Sequence, residues 1–113
     1  MKRFHVWAIC AILVTAGSVA APAASAAGKG DASKGKQVFD GNCAVCHNAD
    51  SSEKKMGPGL KGLFKKDKLV NGKKPTEVNV RARVDEGGNG MPAYKDILSD
   101  EDKDDLVAYL KTL

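Results

Sequence analysis

Two thiols and an imidazole stand together at Cys43-Ala44-Val45-Cys46-His47. A C-x-x-C-H run is the pattern for covalent attachment of a c-type haem. The chemistry explains the spacing. Each thiol adds to one haem vinyl group, so the two sulfurs must lie one helical turn apart, and the imidazole that follows can reach the iron as proximal ligand. Three other chemistries use similar residues. A thioredoxin-like C-x-x-C sits beside a strand in a βαβ unit, and the chain has no strand-like alternation. A structural zinc site needs four ligands, and beyond residue 26 the chain offers only Cys43, Cys46 and His47 as thiol or imidazole ligands. A disulfide across two intervening residues closes too short a loop to staple anything. Haem c is the expected cofactor.

His47 is the only histidine after residue 26, so the chain cannot supply two imidazoles to one iron. The sixth position is left to Met56, Met91, a lysine, a small external ligand or nothing. Met56 follows His47 by nine residues in a Lys-rich loop. Met91 follows by 44 and is held in Gly90-Met91-Pro92, far enough along the chain to come round the opposite face. The Gly and Pro favour a tight loop. Met91 is therefore preferred. A thioether in that position raises the reduction potential. Met56 is expected to fill core space or to sit in an exposed loop.

The elements that must position these groups are helical. Asp31 opens a helix in which Ala32, Gly35, Val38 and Phe39 share a face, with Gly41 as its expected end. Asn48 to Lys68 reads as loop, and Asn71-Gly72 as a turn. Pro75-Thr76-Glu77 opens a second helix, continued by Val78, Val80, Ala82 and Val84 and stopped by Gly87-Gly88. Ser99-Asp100-Glu101-Asp102 is an N-cap with acidic residues in the first turn. Leu106, Val107, Tyr109, Leu110 and Leu113 give the last helix its apolar face. The fold class is all-α, and loops this long in so short a chain are expected to wrap something.

The N-terminus reads separately. Met1-Lys2-Arg3-Phe4-His5 is basic, residues 6–20 are mostly apolar, and residues 21–27 are small residues with one Pro. That order is a secretory signal peptide, with Ala24-Ser25-Ala26 fitting the cleavage site. The expected organisation is a cleaved leader over 1–26 and one domain over 27–113. Cys10 lies inside the apolar run and would leave with the leader, as would Trp7. The remaining 87 residues contain 30 apolar ones, a thin core that calls for a staple or a cofactor.

Beyond these motifs the chain resembles the class I c-type cytochromes over nearly all of residues 27–113. It is similar to the small photosynthetic and bacterial members at Gly35-Lys36-Gln37-Val38-Phe39, Gly41-Asn42-Cys43-Ala44, Cys46-His47, Gly88-Asn89-Gly90-Met91-Pro92-Ala93-Tyr94, Leu98-Ser99-Asp100-Glu101 and Ala108-Tyr109-Leu110. It is similar to the mitochondrial-type members at Gly57-Pro58, Leu60 and Gly62-Leu63-Phe64. The resemblance implies three to five helices and long loops around one covalent haem. It implies that Pro58 offers its carbonyl to the free ring nitrogen of His47, that Leu60 packs on the haem, and that the first and last helices cross at Gly35 and Tyr109 beside Phe39. The chain departs from the mitochondrial type in having no Trp after residue 26 to bond a propionate. Arg83 stands where the small photosynthetic members have a Gln near the haem. It reads either as a cation acting on the haem or as a solvated helix residue.

The expected function is one-electron transfer between redox proteins outside the cytoplasm, in a periplasm or, in a phototroph, a thylakoid lumen. Iron held by His47 and Met91 offers no position to a substrate, which favours a monomeric carrier over an enzyme. A haem subunit of a larger dehydrogenase or oxidase is the alternative, and a peroxidase or gas-binding protein a more distant one. Residues 27–83 carry 13 basic and 6 acidic side chains, whereas 84–113 carry 3 and 8. Lys54, Lys55, Lys61, Lys65, Lys66 and Lys68 crowd the loops after the haem motif, which suits partners with an acidic docking surface. Nucleic-acid binding is not expected, because the basic residues are not interleaved with aromatics.

Overall fold

The computed structural model describes residues 30–113, so the expected leader over 1–26 lies outside the described residues. Three helices carry the fold: α1, Ala32–Asn42; α2, Glu77–Glu86; and α3, Asp100–Leu110. A single 3₁₀ turn, Leu63–Lys65, interrupts the long loop between α1 and α2. Among the described residues there is no strand, and only Gly88 and Met91 pair as an isolated antiparallel bridge. No described helix is long and apolar enough to cross a membrane.

Each helix starts where a side chain can take up its free amides. The Asp31 carboxylate accepts from the amides of Ser33 and Lys34. The Thr76 hydroxyl accepts from Asn79 N. Ser99 and Asp102 form a reciprocal capping box, with Asp100, Glu101 and Asp102 all in the first turn of α3. Two ends differ from the expectation. α1 runs through Gly41 to Asn42, with Cys43 as its cap. Gly41 needs no left-handed conformation there, so nothing compels it to end the helix. α3 ends at Leu110, and Leu113 lies beyond it, half-buried.

α1 and α3 cross in close contact. Gly35 is buried at the crossing, where a β-carbon would overlap the Asp105 carbonyl and crowd the Tyr109 β-carbon. Phe39, one turn on, packs its ring 5.5 Å from that of Tyr109. The same junction is tied by Asp31 N donating to Asp105 Oδ1 at 2.6 Å, which satisfies a buried carboxylate. α2 lies across α3. Its β-branched content did not prevent a helix, because Val80 and Val84 fall four apart on the buried side while Val78 faces solvent. Phe39, Leu63, Val80, Val84, Leu106 and Leu110 form the core.

Candidate haem site

The cavity beside that core measures about 640 Å³, within the range typical of cofactor and ligand sites. All six core residues also form part of its wall. Among the described residues, then, this core cluster and the cavity wall are one surface. Cys43, Cys46, His47, Pro58, Leu60 and Met91, the six residues expected to form the site, all line it, although they come from three separate stretches of chain.

The end of α1 delivers the first stretch. The chain turns as the helix stops, with Cys46 N and His47 N both donating to Cys43 O at 3.0 and 2.9 Å. This brings both thiols and the imidazole to one side. The two cysteines are not joined to each other. Burial pushes the Cys43 thiol up to about 11, so it keeps its proton at neutral pH.

The loop after the turn delivers the second stretch and orients the imidazole. Gly57 N donates to Cys46 O at 2.8 Å, drawing the loop alongside the motif. His47 Nδ1 lies 2.8 Å from Pro58 O. A carbonyl can only accept, so Nδ1 must carry the ring proton and Nε2 keeps its lone pair. The ring also lies flat against Gly57, where a β-carbon would overlap Cε1. The donor set fits a haem: two thiols one turn apart, an imidazole locked in the tautomer that ligates through Nε2, and an apolar wall. Leu60 is half-buried on that wall.

The far end of α2 delivers the third stretch. Gly88 N donates to Met91 O at 2.9 Å and Met91 N to Gly88 O at 3.1 Å, closing a tight turn with Met91 at its exit. Met91 is half-buried, whereas Met56 is 72% exposed. Core filling is therefore excluded for Met56. It touches the cavity rim next to Gly57, on the side of the His47 ring.

Tyr94 was not singled out from the sequence as a site residue. Its hydroxyl donates to Asn42 O at 3.0 Å, and its amide donates to Val84 O at 2.9 Å. It joins the Met91 loop to the last residue of α1, immediately before Cys43. Burial raises its phenol above the ordinary value, so it remains a donor at neutral pH. Only its place in Met91-Pro92-Ala93-Tyr94 could have flagged it. Arg83 also lines the cavity and donates from Nη2 to Gly88 O at 3.0 Å.

A helical fold built round a cavity, with a C-x-x-C-H turn on one wall and a methionine turn on another, defines the class of c-type haem proteins. Comparison with known proteins narrows it. A cytochrome c family model matches residues 32–113. The chain is 34% identical over 116 residues to cytochrome c6 of Thermostichus vulcanus, covering 96% of this chain and 89% of the relative. It is 40% identical over 83 residues to cytochrome c6 of Bryopsis maxima, covering 72% and 90%. To cytochrome c6 of Synechocystis sp. it is 38% identical over 80 residues, and that match spans 71% of this chain and 63% of the relative's length. The crystal structure of cytochrome c6 from the diatom Phaeodactylum tricornutum superposes with a TM-score of 0.57 at 33% identity, over 74% of this chain and 93% of that one. The chain belongs to the cytochrome c family, with the all-α class I fold and a covalently bound haem c.

Proposed function

We propose that the protein is a soluble electron carrier of the periplasm, or of the thylakoid lumen in a phototroph, released from its leader over 1–26 and working as a monomer between larger redox proteins. When bound, the haem iron supplies the one-electron couple. The chain's own residues do the rest. Cys43 and Cys46 would hold the ring, each through a thioether formed by adding its S–H across one vinyl group. His47 would offer Nε2 to the iron, oriented by the hydrogen bond that Nδ1 donates to Pro58 O. Met91, which lines the same cavity, would offer its sulfur as the other ligand. Leu60 and the core residues keep water from that interior. Both oxidation states would then keep the same ligands, and little would need to rearrange.

The observation that carries this reading is the His47–Pro58 bond. It fixes which ring nitrogen is free, and it does so from the loop between α1 and α2 rather than from a helix. The ligand assignment is tested in the ferric spectrum. A weak far-red band from iron–sulfur ligation is expected in the holoprotein. It should vanish in Met91→Ala and persist in Met56→Ala. The reverse pattern overturns the assignment, and a high-spin spectrum in the unaltered protein overturns the carrier.

Charge supports partners with an acidic docking surface. Lys54, Lys55, Lys61, Lys65, Lys66 and Lys68 are all exposed and, among the described residues, none is in an ion pair. Lys54, Lys66 and Lys68 reach the cavity rim. Exposed Met56 and Val70 line the same rim and Val45 lies inside the haem motif, so apolar contact is available within the lysine cluster.

A further inference from the structure

We propose that Arg83 is a positioning residue that braces the Gly88–Met91 turn and so resists displacement of the Met91 sulfur by outside ligands. The inference rests on the reading of Met91 as the sixth ligand and extends it to a residue in a different element.

The geometry is specific to the turn. Gly88 O accepts two hydrogen bonds, from Met91 N within the turn and from Arg83 Nη2 at 3.0 Å. A carbonyl has two lone pairs, so the two donors do not compete. The guanidinium lies over Gly88, with Nη1 3.1 Å from the position of a β-carbon there. Arg83 O accepts from Gly87 N at 2.9 Å, so the backbone of the same residue closes the end of α2. Arg83 thus holds both sides of the point where helix becomes turn. Among the described residues Arg83 forms no ion pair, whereas Arg81, two positions earlier, binds the carboxylates of both Asp100 and Asp104. Arg83 is half-buried, and the hydrogen bond its guanidinium makes among the described residues goes to the Gly88 carbonyl.

The consequence is one of population. An outside ligand can take the iron position only when the sulfur has left it, and the proposal is that this departure goes with opening of the turn. Its apparent affinity is its intrinsic affinity scaled by the fraction of open turns. A donor that stabilises the closed turn lowers that fraction. One hydrogen bond from a charged group corresponds to about tenfold in such an equilibrium.

The test is imidazole titration of the ferric holoprotein, with Arg83→Met and Arg83→Gln. Methionine keeps the bulk and loses the donors. Glutamine stays polar and suits a helix, and its amide is too short to reach Gly88 O, so it serves if the methionine variant does not fold. Thioether and imidazole are both neutral, so loss of a nearby charge affects both forms alike and the exchange reports the brace. Imidazole affinity is expected to rise about tenfold in either variant, with the far-red band retained when no imidazole is present. Unchanged affinity in a folded variant overturns the proposal, even if its urea midpoint falls. Met91→Ala separates the underlying reading: if the band is missing from the unaltered protein or survives in Met91→Ala, the ligand assignment fails. If the band behaves as expected and imidazole affinity does not move, only the role of Arg83 fails.

Discussion

Tyr94 shows how little contact is needed to align the segments that carry Cys43 and Met91. Its hydroxyl caps the carbonyl of Asn42, one of the orphan acceptors at the end of α1, and that residue precedes Cys43. Removing the hydroxyl leaves the Asn42 carbonyl without this partner. Tyr94→Phe is expected to cost the holoprotein about 1 kcal/mol in urea denaturation, with the far-red band intact. No loss of stability would show that water replaces the phenol at no cost. Gly57 works at the same scale on the other side. It lies against the His47 ring, and Pro58 then reaches Nδ1 because the loop passes so close.

Among the elements, the α1–α3 crossing and the α2–α3 contact have different physical bases. The first is steric. Gly35 lets the backbones of α1 and α3 meet, and Gly35→Ala must push Asp105 and Tyr109 away. A loss of about 3 kcal/mol is expected in thermal or urea unfolding, and a loss under 1 kcal/mol would mean that the helices slide apart freely. The second is partly ionic. Lys103 is buried, its ammonium 2.8 Å from Asp85 Oδ1 and donating to Lys95 O at 3.0 Å. It holds the C-terminal turn of α2 and the segment after Tyr94 onto α3. Lys103→Met should cost about 2 kcal/mol, because it strands a largely covered Asp85 carboxylate; Asp85→Asn in the same background should recover part of that, and failure to recover any would assign the effect to lost packing instead. A surface pair such as Lys34–Glu101 is expected to contribute far less.

For the molecule as a whole, charge is divided between two kinds of surface. Acidic residues of α3 are largely answered by cations from other elements: Arg81 on Asp100 and Asp104, Lys34 on Glu101, and Lys111 on Glu77 at the start of α2 is the converse case. The loop lysines near the cavity have no such partners among the described residues and present an unbalanced positive face. Long-range attraction to an acidic partner is screened beyond about 10 Å at 0.1 M salt. The bimolecular rate of electron transfer with an acidic partner is therefore expected to fall as ionic strength rises, and Lys66→Glu with Lys68→Glu should flatten that dependence. A rate indifferent to salt in the unaltered protein would remove electrostatic steering from the account.

Cofactor chemistry was legible in the sequence because it depends on short-range order. C-x-x-C-H places three reactive groups within one turn wherever that turn sits, and helix caps at Asp31, Thr76 and Ser99 act on amides two or three residues away. The three helices could be read for the same reason, with errors confined to the last turns of α1 and α3, where Gly41 and Leu113 sit. The choice between burial and exposure for Met56 could not be read, since a thioether suits either and only the path of the loop past His47 decides. Tyr94 and Lys103 were equally hidden, one reaching 52 residues back to Asn42 and the other joining α3 to α2. Arg83 could be named from the sequence but not assigned. Sequence determined which chemistry the chain can carry. Tertiary structure decided which side chains hold the segments of Cys43, His47 and Met91 in register, because those contacts join positions whose separation along the chain carries no trace of their distance in space.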